Sequence, residues 1–146
     1  MSERLKFNEE QKVRRRIRQH EGYRQFPYKD TVGVLTIGIG RNLQSNGLNP
    51  DEIELMFDND FRDAEQAAAS LDCWPGLNEV RRGVLVEMVF QMGLGGVLTF
   101  ENFLAAAAAG DYEEAADEML DSRWARQTPS RARALSDTFR VGRHDD

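Results

Sequence analysis

Between Glu21 and Gly40 the chain reads EGYRQFPYKDTVGVLTIGIG. Two carboxylates, Glu21 and Asp30, stand nine residues apart, and the hydroxyl of Thr36 follows six residues later. Hydrolysing an acetal needs a proton for the leaving oxygen and a nucleophile on the opposite face of the sugar. Two carboxyl groups in different surroundings can supply both. Glu21 suits the proton donor, because it falls at a predicted helix C-terminus, where the negative end of the helix dipole works against a further negative charge. Asp30, in an open turn, suits the ionised partner that orients a water, and Thr36 on the next strand can hold that water by its hydroxyl. Carboxyls roughly 6.5–9.5 Å apart leave room for the water and lead to inversion. Each residue also has a purely structural explanation, since Asp30 can make an Asx-turn and threonine is ordinary in a strand. Spacing alone leaves both explanations open.

The elements that must position these groups follow from period and punctuation. Residues 8–20 predict a helix capped by Asn8 with Gln11 reaching back, burying a narrow stripe of Leu5, Val13 and Ile17 and stopped by Gly22 in a left-handed conformation. Segments 26–28 and 34–39 are β-branched and aromatic around Asp30-Thr31-Val32-Gly33, which predicts a hairpin. Residues 42–49 read as a turn or loop. Asn49-Pro50-Asp51-Glu52 opens a long helix to about residue 70, with Ile53, Met56, Phe57, Ala64, Ala67, Ala68 and Leu71 at helical spacing. After the break at Cys73-Trp74-Pro75-Gly76 the chain reads as helical throughout. Helix 78–91 buries Val80, Val84, Leu85, Met88 and Val89, and 92–96 is a break. Thr99 caps a short helix bearing Phe100 and Phe103, Asp111 with Glu114 boxes a helix over 112–121, residues 122–124 turn, and Thr128-Pro129 starts a helix over 129–140. The fold class is α+β: a small sheet in front, a helical bundle behind, and one long helix joining them.

Composition bounds the function. At 146 residues, 40% hydrophobic and 30% charged, the chain suits one globular domain of two small lobes. Cys73 is the single cysteine, which excludes an internal disulfide and a multi-cysteine metal site; two histidines are too few for a typical zinc site, so no metal or cofactor is expected. The charged N-terminus lacks the apolar core of a signal peptide, and no run is long enough to span a bilayer, so a soluble cytoplasmic chain without stable membrane insertion is expected. Net charge is −6, yet residues 1–24 carry +4 and residues 123–143 carry +5. These basic ends can attract an anionic polymer or simply be solvated helix faces. Nucleic-acid binding through Arg14, Arg15, Arg16 and Arg18 is disfavoured by the overall acidity and by the lack of interleaved aromatics.

Glu21, Asp30 and Thr36, followed by Ile37-Gly38-Ile39-Gly40, resemble the active-site strip of phage-type lysozymes, the endolysins typified by the T-even phage enzyme. VRRGVLVEMVFQMGLGGVLTF (80–100) is similar to the central buried helix of that family, and SRWARQTPSRARALSDTFRVG (122–142) to its C-terminal helices. The three blocks come in family order. The resemblance implies a lysozyme-like bilobal fold in a single domain, with a β-containing lobe over 22–60 and a helical lobe from 1–21 and 61–146. It implies inverting hydrolysis, without metal or cofactor, of the β-1,4 bond between N-acetylmuramic acid and N-acetylglucosamine in peptidoglycan. Glu21 matches the general acid, and Asp30 and Thr36 match the pair that positions water. Arg131 matches an arginine that pairs with the acid, while Gln91 and Trp124 match two residues packed together behind the site. Phe90 and Arg123 fall where saccharide contacts or site support are expected. The implied setting is host-cell lysis by a monomer made in the host cytoplasm and released to the wall with the help of a separate holin-type permeabilising protein.

There are departures. The segment between Gly40 and Asn49 is short, and Arg41 stands where the family often has histidine. Asp60 matches that histidine's acid, so an Arg41–Asp60 salt bridge is expected. Glu87 replaces an amide. Two other functions compete. A lytic transglycosylase needs the acid but no water-holding aspartate, and a non-catalytic wall-binding module needs neither; the set Glu21, Asp30 and Thr36 argues for hydrolysis over both.

Overall fold

Glycine punctuation and two changes of hydrophobic period divide the chain, and the computed structural model, which describes residues 3–144, follows them closely. Two compact units result, one up to Ile53 and one from Glu54 onward.

In the first unit, helix α1 spans Phe7–Glu21. Its cap lies two residues earlier than Asn8 suggests. Lys6 is the extended cap residue and makes no side-chain hydrogen bond to the helix, because Leu5-Lys6-Phe7 contains no breaker and Asn8 is drawn into the first turn. The expected stripe of Leu5, Val13 and Ile17 is not buried: α1 buries no residue. Gly22 ends the helix, donating its N–H to the Arg18 carbonyl at 2.9 Å, with φ 80° and ψ 179° rather than the left-handed helical pair. Strands β1 (Arg24–Lys29), β2 (Leu35–Gly38) and β3 (Arg41–Asn42) form an antiparallel sheet in sequence order. Thr36 faces Tyr28 on one side and Asn42 on the other, and a bulge interrupts β1 between Arg24 and Tyr28, next to Pro27. The expected loop after β3 contains a short helix, α2 (Leu43–Asn46), because the Asn42 side chain accepts from the Ser45 N–H and caps it.

Helix α3 (Pro50–Ala69) carries the chain from the first unit into the second. Its apolar spacing is only half used. Ala64 and Ala68 are buried, with Leu71 just beyond, while Ile53, Met56 and Phe57 are exposed. A short 3-10 turn, Trp74–Gly76, precedes α4 (Glu79–Leu98), which Asn78 caps through the Arg81 N–H. The expected break at 92–96 narrows to Gly93, whose φ is 77°; the chain is helical again by Leu94. Thr99 closes this helix, bonding back to the Gly96 carbonyl, instead of capping the next one; the residue before α5 (Glu101–Ala108) is Phe100. Asp111 does cap α6 (Tyr112–Leu120), through the Glu114 N–H. Ser122 caps a short helix, α7 (Arg123–Gln127), where a turn was expected, and α8 spans Pro129–Val141.

The second unit's core is built on α4. Val84, Leu85, Met88 and Val89 are buried as expected, Val86 joins them, and Val80 is only half-buried. Ala106, Ala107, Ala115, Ala116 and Ala132 are small enough for α5, α6 and α8 to pack closely, and Phe103 and Phe139 meet at 5.2 Å between ring centroids in the resulting space. Burying each such ring contributes about 1.5–3 kcal/mol. Arg81 completes the C-terminus of α8: its Nε donates to the Phe139 carbonyl at 2.6 Å and its Nη2 to the Arg140 carbonyl at 3.0 Å, with the guanidinium 3.6 Å from the centre of the Tyr112 ring.

Candidate active site

Glu21 is the last residue of α1, so its backbone is held by the helix while its side chain is exposed. The carboxylate lies against the backbone of Gly40. A Cβ at position 40 would stand 2.6 Å from Glu21 Oε2 and 2.8 Å from Cδ, and the φ of 75° at Gly40 disfavours any other residue for a second reason. Glycine at the end of the Ile-Gly-Ile-Gly strip therefore makes the seat for this carboxylate.

Asp30 and Thr36 are both anchored on the backbone of Val34. Asp30 Oδ1 accepts from the Val32 N–H at 2.9 Å and from the Val34 N–H at 2.8 Å, and the Asp30 N–H donates to the Val34 carbonyl at 2.9 Å. Thr36, 5% exposed in the middle of the sheet, donates its hydroxyl proton to that same Val34 carbonyl at 2.8 Å. The Asx-turn is thus real, and it uses only one carboxylate oxygen: no donor among the described residues reaches Oδ2. A hydroxyl has one proton and two lone pairs. With the proton committed to Val34, Thr36 Oγ1 meets a water only as an acceptor. Oδ2 of Asp30 is an acceptor too, so both groups can take the protons of a water and leave its own lone pair free.

Arg41 takes a different partner from the one expected. Its Nη1 and Nη2 donate to the two oxygens of Glu52 at 2.7 and 2.6 Å, and Nη1 also donates to the Gly47 carbonyl at 3.0 Å. Glu52, not Asp60, is the acid because it already sits at the start of α3, where its Oε1 accepts the Asn49 N–H at 2.7 Å. Arg41, and then the Asn49 amide, hold the Glu52 carboxyl below its ordinary range, and Glu52 raises Arg41. The short segment after Gly40 brings the helix start, with Glu52, within reach of the guanidinium.

In the second unit a groove of about 600 Å³ is lined by Phe57, Phe61, Trp74, Phe90, Glu87 and Arg131, among others. Phe57 packs edge-on against Phe61 and Phe90, at 6.2 and 5.7 Å between centroids. Arg131 donates from Nε to Glu87 Oε2 at 2.8 Å. Glu87, whose replacement of an amide had no evident purpose in the sequence, is the partner of Arg131 within this unit. Trp124 donates from Nε1 to Gln91 Oε1 at 2.9 Å, joining the two residues that the sequence paired. Arg123 opens α7 beside Trp124 on a polar groove that also carries Glu118 and Asp121, and it makes no ion pair among the described residues. Among the described residues no group of His, Cys, Asp and Glu is arranged to hold a metal ion.

Sequence reasoning missed Gly40, Glu52 and Glu87. The repeated glycine before Arg41 signalled the first, and the acid three residues after Asn49 signalled the second. The third stood out as a departure from the family pattern, but nothing in the sequence pointed to its partner, 44 positions away.

Comparison with known proteins adds an independent line. Residues 18–138 match the phage lysozyme family. The chain is 32% identical over 145 residues to the pre-baseplate central spike protein Gp5 of Enterobacteria phage T4, covering 80% of this chain but only 25% of that protein. It is 29% identical over 156 residues to a probable T4-type lysozyme 1 of Dictyostelium discoideum, covering 86% of this chain and 92% of that one. It is 30% identical over 129 residues to the peptidoglycan hydrolase gp36 of Pseudomonas phage phiKMV, covering 84% of this chain and 14% of that protein.

Proposed function

The chain belongs to the phage lysozyme family, and on that premise we propose that it is a muramidase that hydrolyses the β-1,4 bond between N-acetylmuramic acid and N-acetylglucosamine in peptidoglycan, with inversion. Glu21 gives its proton to the glycosidic oxygen as the bond to C1 breaks. A water held by Asp30 and Thr36 attacks C1 from the opposite face and passes a proton to Asp30 Oδ2, so that the new C1–OH bond replaces the old C1–O bond. In the second unit, Phe90, Gln91, Arg123, Trp124 and Arg131 are the residues proposed to support the saccharide, with Arg131 held by Glu87.

The observation that carries this reading is that Asp30 and Thr36 are both anchored on Val34, the Asp30 carboxylate by its N–H and the Thr36 hydroxyl by its carbonyl. This anchoring leaves Asp30 Oδ2 and the lone pairs of Thr36 Oγ1 as acceptors for a water, and a transglycosylase or a pure binder has no use for such a pair. Family membership supports a glycosidase acting on the wall. The biological setting follows as part of the same proposal: a monomer made in the host cytoplasm that reaches the wall at lysis once a separate permeabilising protein opens the way.

Clearing of purified walls by the parent chain, Glu21→Gln and Asp30→Asn tests it. Removing the acid is expected to cost about 10²–10⁴-fold. Full activity in Glu21→Gln would sink the mechanism.

A further inference from the structure

Helix α1 begins ahead of the segment matched by the family, which starts at residue 18, and buries none of its residues. At 100° per residue, one side of it carries Asn8, Lys12, Arg15, Arg16 and Gln19. Val13, Ile17 and Glu21 lie on the opposite side, so the basic face points away from the carboxylate seated on Gly40. Lys12, Arg15 and Arg16 are exposed and make no ion pair among the described residues; in α1 only Arg14 has a partner there, Glu10 at 3.0 Å. In the other basic stretch, 123–143, Arg131 and Arg140 are matched by Glu87, Glu113 and Asp117, and the arginines without an ion pair among the described residues are spread over α7, α8 and the segment after it. On a chain of net charge −6, the Lys12–Arg15–Arg16 face of α1 thus gathers three cations that have no ion-pair partner among the described residues, beside the Glu9 and Glu10 of the first turn.

We propose that the Lys12–Arg15–Arg16 face of α1 is a docking surface for the carboxylate-bearing glycan–peptide polymer of the cell wall, separate from the strip that cleaves it. The inference rests on the reading of the protein as a wall hydrolase. Stem peptides place carboxylates at intervals along flexible glycan strands, complementary to a row of cations spread over little more than one helical turn. Each exposed pair is weak, so retention comes from several contacts at once along the polymer and is screened by salt. Arg16 precedes Glu21 by five residues, about 8 Å along one rigid helix, so a strand held on this face stays near the acid. A lipid surface fits less well. Phe7 shares its side of the helix with Glu10, Arg14 and Arg18, while Val13 and Ile17 lie on another side with Glu21, leaving no continuous apolar stripe to insert. Nucleic acid fits less well too, because the basic face has no aromatic ring on which bases could stack.

The test is co-sedimentation of the full chain with purified peptidoglycan sacculi, in a Glu21→Gln background so that the wall stays intact. The variant K12E/R15E/R16E should bind about tenfold more weakly at low salt. K12Q/R15Q/R16Q should fall between, and the difference should shrink at high salt. Unaltered melting temperatures confirm that the fold is kept. Binding within twofold of the parent for both triple variants at low salt would overturn the proposal, as would tighter binding of the parent to anionic phospholipid vesicles or to duplex DNA than to sacculi. Failure of the hydrolase reading would show separately, as no release of reducing ends from sacculi by the chain with Glu21 intact.

Discussion

Replacing Gly40 with alanine separates the position of the acid from the stability of the fold. The new methyl would stand 2.6 Å from Glu21 Oε2 and 2.8 Å from Cδ. Ordinary carbon contacts begin near 3.5 Å, so the carboxylate must retreat by about 1 Å. Because it is the free end of a flexible side chain, the retreat itself costs little. The φ of 75° adds about 1–2 kcal/mol of backbone strain for any residue with a Cβ. Gly38 is the control. Its φ is 67°, yet a Cβ there meets nothing within 4 Å, so Gly38→Ala carries similar strain without the push on Glu21. Both variants should lose about 1–2 kcal/mol in chemical unfolding. A misplacement of about 1 Å at the reacting group costs roughly 10²-fold in rate, so Gly40→Ala should clear walls about 10²-fold more slowly than Gly38→Ala at a temperature where both are folded. Equal rates in the two variants would refute the idea that Gly40 seats the catalytic carboxylate.

Two other consequences concern the scaffold. Arg41 lowers the pKa of Glu52, so the pair's contribution to stability is present above the ordinary glutamate pKa of about 4.3 and is lost as pH falls through the lowered folded-state value. Thermal unfolding of Glu52→Gln should therefore lose that part of the parent's acid sensitivity, and an unaltered pH slope would show that the pair is not felt. Arg81 ties α4 to the end of α8 with two charged hydrogen bonds, so Arg81→Ala should cost about 2–3 kcal/mol in urea unfolding, with Arg81→Lys recovering only part because lysine lacks the planar fork. A loss under about 0.5 kcal/mol would contradict that role.

The elements were legible where a residue's local chemistry settles the matter. Asp111 with Glu114, and Asn49-Pro50, mark helix starts whose hydrogen bonds lie within three residues of each other. Thr99 and Asn8 misled for a physical reason. A threonine hydroxyl can close the preceding turn as readily as it opens the next, and an asparagine cap yields when the residues before it can also be helical. The types and spacing of Glu21, Asp30 and Thr36 were visible in the sequence, as was the Asx-turn that Asp30 makes. That the turn and the threonine are both anchored on Val34 depends on the turn conformation and the Thr36 rotamer, which spacing does not specify. Ion-pair partners were the least legible. Arg41 had Asp51, Glu52 and Asp60 within 20 positions, and only the packing of the short segment after Gly40 against the start of α3 selects Glu52. Arg131 and Glu87 lie on different helices, and only the way α4 and α8 pack brings them together.

The configuration of the first-formed product tests the central claim most directly. Proton NMR of a wall fragment or short glycan during the first turnovers distinguishes the anomers before they equilibrate. A water held by Asp30 and Thr36 and attacking opposite the leaving group gives the α-anomer at the new reducing end. A β-anomer, or a 1,6-anhydro product with no reducing end, would contradict the account.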